Sequence, residues 1–296
     1  MKYVITGSLG NISKPLAQRL VAAGHDVTII SSKHDKVEQI EAIKAKAAIG
    51  SVTDVAFLSR IFNDADAVYT MVPPFFGAPD WKKFIAGIGE NYATAIKISD
   101  VKNVVNLSSI GAHMSEGCGP VSGLHFVEKA LNDLAGVNVK HLRPGFFYSN
   151  LLANVSLVKS MGIMGGNYGE NAIMVMAHPK DIAEVAAEEM LALSFKGKSI
   201  RYIASHELKT SQIASIIGEA IDRPELQWVN FKDEESLAGM LQAGLPEEVA
   251  SNYTEMGSAM RSGEMASDYN VNRPETFGKI KMEDFAKVFK AIYSQS

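Results

Sequence analysis

What most constrains this chain is a rhythm that runs through its first half. Short apolar runs at Tyr3–Thr6, Asp26–Ile30, Ala47–Ile49, Ala67–Val72, Asn103–Leu107 and Asn138–Leu142 alternate with segments of helical spacing. Ile12, Leu16 and Leu20 line one face of the first such segment, which stops near Gly24. Val37, Ile40 and Ile43 mark a charged amphipathic one, and Asp54 opens a third through Phe57, Leu58 and Ile61. A long helix through Ile85, Ile88, Tyr92 and Ile96 follows, then another from Pro120 to Leu134. Strands separated by crossovers of this length pair in parallel, and a parallel sheet needs helices on both faces. The expected fold class is α/β, a Rossmann-like doubly wound parallel sheet.

Past Arg143-Pro144-Gly145 the rhythm loosens. A helix around Leu151–Met161 precedes a glycine-rich stretch (162–171). A strand at Ile173–Met176, a helix starting at Asp181 and a strand over 200–204 come next. Thr210 or Ser211 is placed to cap a helix through Ile213–Ile221. This pattern divides the chain into a nucleotide-binding domain at 1–150, extended by elements around 172–204, and a smaller, mostly helical C-terminal lobe at 151–296 that contributes the substrate site.

The composition narrows the functional classes. A net charge of −4 with no basic run argues against a nucleic-acid surface. The single cysteine, Cys118, excludes an intrachain disulfide and fits a reducing compartment as a structural thiol. His113, His141, His178 and His206 lack the close paired spacing of a zinc site, so no metal is expected. No Gly-x-Ser-x-Gly element is present for acyl transfer. No signal-peptide pattern precedes the first strand, and no run approaches the roughly 20 apolar residues of a membrane span, so a soluble cytoplasmic protein is expected.

The first strand ends at Gly7, Gly10 follows, and a helix starts at once. Strand, glycine turn and helix form a phosphate cradle, because the turn brings backbone close and the free N–H groups of the helix start face the negative charge. The spacing Gly7-x-x-Gly10-x-x-Ser13 approximates the dinucleotide fingerprint, with Ser13 small enough to replace the third glycine and able to cap the helix. Gly7, Ser8, Leu9, Gly10, Asn11 and Ile12 are therefore candidate cofactor contacts. An NAD site places an acid about 20 residues past the glycines to hold the ribose. Here the second strand ends in Ser31, Ser32, Lys33 and His34, hydroxyls and cations suited to a 2′-phosphate. NADP(H) is thus preferred, with NAD(H) as the alternative. Gly50, Ser51, Met71, Val72 and Pro73 stand at the carboxyl ends of strands, where open α/β sheets bind ligands.

At this point the chain resembles the NmrA-like branch of the atypical short-chain dehydrogenase/reductases, which includes NAD(P)H:quinone reductases. VITGSLGNIS is similar to that group's glycine loop, NVVNLSSIGA to its fifth-strand element, LRPGFFYSNL to its LRPGFFxEN element and HPKDIAEVAAEEML to its later helix. The resemblance implies a nicotinamide cofactor that also contacts Ser108, Lys129, Pro144, Gly145, Phe146 and Phe147, and a substrate cleft between two lobes. Phe75, Phe76, Trp81 and Tyr148 are candidates to stack on a flat substrate ring.

Typical members of the wider superfamily use Ser with a Tyr-x-x-x-Lys pair, spaced to share one helix face. The matching helix here reads His125-Phe126-Val127-Glu128-Lys129. His125, Lys129 and Ser109 are accordingly the catalytic candidates, with Ser108 as the alternative serine. Histidine in place of tyrosine weakens the case for alcohol–ketone chemistry, since a nearby cation disfavours the imidazolium an acid would need. A quinone needs less exact proton delivery. The resulting expectation is an NADPH-dependent oxidoreductase passing hydride to a small electron-poor acceptor. The rival is an NADP(H)-binding redox sensor that works through a protein partner or a second copy of the chain, without turnover. A sugar-nucleotide epimerase-type enzyme is a third reading, though such enzymes keep the Tyr-x-x-x-Lys pair.

Overall fold

The structure, a computed structural model, describes residues 1–169 and 172–295; the last two residues of the glycine-rich stretch and the final serine lie outside the described residues. In chain order the elements are β1 (Lys2–Ile5), α1 (Ser13–Ala22), β2 (Asp26–Ser31), α2 (Val37–Ala42), β3 (Lys46–Ile49), α3 (Val55–Phe62), β4 (Ala67–Thr70), α4 (Trp81–Ser99), β5 (Asn103–Leu107), α5 (Pro120–Asn132) and β6 (Asn138–Pro144). They continue as β7 (Phe146–Phe147), α6 (Val155–Met161), β8 (Ile163–Gly166), β9 (Ile173–Ala177), α7 (Pro179–Ala192), β10 (Lys198–Ile203), β11 (His206–Lys209), α8 (Thr210–Ala220), β12 (Gln227–Asn230), α9 (Asp233–Gln242), α10 (Glu247–Ser262), α11 (Ser267–Val271) and α12 (Met282–Gln295).

Seven strands form one sheet in the order β10-β6-β5-β4-β1-β2-β3, and every neighbouring pair is parallel. The chain winds outward from β1 to β3, then restarts at β4 on the other side of β1. The carboxyl ends of β1 and β4 therefore flank the topological switch point, the crevice where this architecture takes ligands.

Alternation along the strands explains why both faces are covered. Tyr3 and Ile5 pack with Leu16 and Leu20 of α1 and Ile182 and Met190 of α7. Val4, between them in sequence, packs on the opposite face with Phe57, Ile85, Tyr92 and Val127 of α3, α4 and α5. Local signals set the boundaries: the Asp54 side chain accepts from Phe57 N at the start of α3, and Asp80 accepts from Lys83 N at the start of α4.

Several boundaries differ from the sequence expectation. β4 ends at Thr70 rather than Val72, because Met71 turns its N–H to the Thr6 hydroxyl at 2.9 Å. α7 starts at Pro179, with the His178 ring accepting from Lys180 N, and α8 is preceded by Lys209 rather than capped by Thr210 or Ser211. Between residues 172 and 204, α7 and β10 join the layers of the large sheet, whereas β9 pairs with β7 and β11 in a three-stranded sheet. A parallel pair, β12 and β8, forms a further small sheet. These strands and α6, α8 and α12 enclose a core of their own around Tyr148, Met176, Ile217, Trp228 and Phe289. No described helix is long and apolar enough to cross a membrane.

Candidate functional site

The loop after β1 is fixed by backbone geometry that glycine permits. Gly7 has φ +91°, and a Cβ there would stand 2.5 Å from Ser13 Oγ and 3.0 Å from the Met71 side chain. The Ser8 N–H donates to Ile30 O at 3.1 Å, and the Gly10 N–H to Gly7 O at 3.2 Å. Ser13 does not cap α1; its hydroxyl donates to Thr6 O at 2.8 Å and pins the helix start to the strand end. Ile12, the residue before α1, offers no side-chain cap either, and Gly10 and Asn11 are exposed. Within the first turn the Lys14 N–H is taken by Gly10 O at 3.0 Å and Pro15 has no N–H, so the groups that face the loop are the backbone N–H of Asn11, Ile12 and Ser13, with the positive end of the helix dipole behind them. Leu9 is half-buried against the first core and Ile12 is buried in it.

At the end of β2 the Ser8 hydroxyl donates to Ser31 Oγ at 2.9 Å, and Lys33 N–H donates to the same oxygen at 3.2 Å. Ser31 is buried by this arrangement, while Ser32, Lys33 and His34 are exposed beside it. Ser31 therefore shapes the loop, and the groups free to meet a ligand are its neighbours. At the end of β3, Gly50 donates to Ser31 O, and a Cβ on it would strike the Phe57 ring at 2.6 Å. The Ser51 hydroxyl is 2.7 Å from that of Thr53 and accepts from Thr53 N, closing a turn. Met71, Val72 and Pro73 are half-buried at the end of β4, where Tyr92 OH donates to Met71 O at 2.7 Å.

The end of β5 departs from expectation. Ser108 is buried, and its hydroxyl donates to Glu128 Oε1 at 2.5 Å. Arg143 grips the same carboxylate through Nε (2.9 Å) and Nη2 (2.6 Å), and its Nη1 donates to Tyr202 OH at 3.0 Å and Asp268 Oδ2 at 2.9 Å. Tyr202 OH donates to Asp268 as well. Burial works against the guanidinium charge, but its hydrogen bonds to Glu128, the Glu128 charge and Tyr202 outweigh it, so Arg143 is held protonated. Ser108 is consequently part of a structural network and is not a free cofactor contact.

His125 and Lys129 are not gathered with Ser109. His125 Nδ1 donates to Ala112 O at 3.0 Å, which leaves Nε2 without the ring proton in the neutral form. Lys129 is exposed, and among the described residues neither side chain hydrogen-bonds the other or Ser109. The residue of α5 turned toward the strand ends is Glu128, one position from the expected lysine.

Two further expectations are corrected. Pro144 and Gly145 are buried; the Pro144 carbonyl accepts from Ile110 N, Gly145 N–H donates to Ile203 O, and a Cβ on Gly145 would lie 2.4 Å from Val175 O. That glycine makes room for β9. Tyr148 is fully buried in the C-terminal core, with its hydroxyl donating to Ile280 O at 3.3 Å, and cannot stack on a substrate. Phe146 and Phe147 are half-buried, and Phe75 and Phe76 are exposed. Trp81 is buried at the start of α4, edge-on to Phe76 at 5.4 Å and to Tyr253 of α10 at 5.4 Å.

Cys118 is buried, and burial pushes its thiol up to about 12, as expected of a structural cysteine. A cavity of about 730 Å³ lies at the far edge of the sheet, between α7, β10 and residues 272–279, with Tyr202 and Asp268 in its wall.

Comparison with known proteins agrees with this geometry. Residues 7–140 match a family model described as NAD(P)H-binding. No curated protein matches the chain by sequence. Among solved structures, an NADPH-dependent quinone oxidoreductase from Escherichia coli, complexed with NADPH, superposes with a TM-score of 0.83 at 18% identity, covering 97% of this chain and 99% of that one. A triphenylmethane reductase from Citrobacter sp., complexed with NADP(H), gives 0.80 at 15% identity over 98% and 100% of the two chains. A nucleoside-diphosphate-sugar epimerase from Staphylococcus aureus gives 0.79 at 14% identity over 97% and 100%. At these identities the likeness establishes the fold.

Proposed function

We propose that the protein is an NADPH-dependent oxidoreductase of the NmrA-like, atypical short-chain dehydrogenase/reductase type, acting on a small electron-poor acceptor such as a quinone; the match of residues 7–140 to an NAD(P)H-binding family model supports the reading. The observation that carries the reading is the pairing of an uncapped helix start behind Gly7–Ile12 with an acid-free, exposed Ser32-Lys33-His34 at the end of β2. The first holds a pyrophosphate by N–H groups and the helix dipole. The second offers a hydroxyl and a cation to a 2′-phosphate, with Ser31 fixing the loop beneath them.

When bound, the cofactor supplies a hydride. The chain's own residues position and shield it: Met71, Val72 and Pro73 wall the switch point, and the Thr6 hydroxyl and Tyr92 hold the Met71 backbone in place. The two similar structures solved with NADPH or NADP(H) are a quinone oxidoreductase and a triphenylmethane reductase. Both names point to ring-bearing acceptors, which suits the aromatic side chains past β4. Loss of nicotinamide absorbance from NADPH in the presence of a quinone panel tests the proposal. Turnover that is slower with NADH than with NADPH is expected; no turnover with any acceptor contradicts it.

A sensor role is the second reading. It is favoured by one observation: the Ser108 hydroxyl is spent on Glu128, and the tyrosine of the usual pair is absent. Clear NADPH binding without turnover would move the balance to it, with a protein partner or a second copy of the chain as its target.

A further inference from the structure

α10 packs against the starts of α4 and α5. Its Glu248 carboxylate accepts from Trp81 N at 2.9 Å, and its Glu255 pairs with Lys82 Nζ at 2.6 Å, so the helix is tied to the start of α4. Its Asn252 carbonyl lies against Gly119, the residue before α5; a Cβ there would come within 2.0 Å of that oxygen. The starts of α4 and α5 follow the loops after β4 and β5. A side chain projecting from α10 between these two anchor points therefore stands above the switch-point side of the sheet.

Tyr253 is that side chain. Its ring meets Trp81 edge-on at 5.4 Å, and Trp81 in turn meets Phe76. It packs on the same apolar cluster as Leu124 of α5 and Phe146 of β7. The ring is half-buried, and its hydroxyl makes no hydrogen bond among the described residues. Desolvation raises its pKa, which keeps the O–H as a hydrogen-bond donor and makes it a weaker acid than a free phenol. A lone phenol O–H, kept protonated on an aromatic wall, is fitted to donate to an oxygen of a flat ligand.

We propose that Tyr253, backed by the buried Trp81 ring, forms the acceptor subsite, with the Tyr253 hydroxyl as hydrogen-bond and proton donor to the carbonyl oxygen of a quinone. The assignment rests on the reductase reading. In the reaction the quinone takes a hydride from the reduced nicotinamide and one proton. The phenol O–H bond breaks as the hydroquinone O–H bond forms, and water reprotonates the phenolate. The proton donor missing from α5 is thus supplied from the C-terminal lobe.

The test compares wild-type protein with Tyr253→Phe, which keeps the ring and removes only the hydroxyl. Calorimetric titration of 1,4-naphthoquinone into the NADP⁺-loaded protein should show a Kd weakened about fivefold, the scale of one lost hydrogen bond. The kcat for its reduction by NADPH should fall by about tenfold or more. NADPH affinity should stay within about twofold, since a hydrogen bond to the acceptor contributes nothing to cofactor binding. An unchanged naphthoquinone Kd, or a wild-type protein that does not bind it, overturns the subsite. An unchanged kcat overturns the proton-donor role. If wild-type protein binds 1,4-naphthoquinone without reducing it, the reductase reading fails, and the subsite stands or falls on the Kd comparison alone.

Discussion

At the scale of single residues, the site depends on Gly7 more than on any other position in the loop. Its φ of +91° and the 2.5 Å approach of Ser13 Oγ leave no place for a methyl group. Gly7→Ala must move Ser13, whose hydroxyl ties α1 to Thr6 O, and must also displace Met71. The expected cost is about 1–3 kcal/mol of stability from the backbone strain alone, measured as a shift in the urea midpoint. NADPH binding should be lost with it, because the first turn of α1 is then misaimed. A Gly10→Ala control is milder: Gly10 does not carry a positive φ, and a Cβ would meet only Gly7 O at 3.1 Å.

At the scale of elements, the Ser108–Glu128–Arg143–Tyr202–Asp268 network joins β5, α5, β6, β10 and α11. Arg143 and Glu128 are both about 5% exposed, so neither charge can fall back on water. Arg143→Ala strands a buried carboxylate and should cost about 3–5 kcal/mol, read from chemical denaturation. Glu128→Gln combined with Arg143→Met should recover part of that loss, because the uncompensated charge is removed. Elements also show what local sequence can reveal. β5 was legible to the residue, since NVVNL is a β-rich run, buried on both faces and bounded by turn residues. β7, β8, β11 and β12 were not, because these short strands stand outside the strand–helix alternation and are defined only by partners far away in the chain. The cofactor loop was legible because glycine spacing carries a backbone requirement. Glu128 was hidden by the search for Lys at the next position, although a carboxylate facing the core side of an amphipathic helix was a usable signal. Nothing local marks Tyr253, whose significance comes only from where α10 packs.

At the scale of the whole molecule, acid sensitivity follows from one buried imidazole in β6. His141 lies between Asn106 Nδ2 (3.1 Å) and Asn132 Oδ1 (3.0 Å). Its pKa is pushed down to about 4 from an ordinary 6.5, chiefly by burial; Glu128 opposes the shift, while Arg143 and Lys198 add to it. The folded protein therefore takes up this proton later than the unfolded chain does. The site's contribution is full above pH 6.5 and is lost as pH falls from there to about 4. The loss is on the order of 3 kcal/mol, at 1.36 kcal/mol per pKa unit. Urea denaturation across that window should show a shallower pH slope for His141→Gln than for wild type; equal slopes would assign the acid sensitivity to other groups.

In the proposed function the crevice between β1 and β4 is an NADPH site, with Ser32 and Lys33 reading the 2′-phosphate. Calorimetric titration of NADPH and NADH into wild-type protein and Lys33→Ala tests it most directly. Wild type should bind NADPH about tenfold or more tightly than NADH, and Lys33→Ala should narrow the gap by weakening NADPH alone, as loss of a charge-assisted contact requires. Binding of neither nucleotide, or tighter binding of NADH, would contradict it.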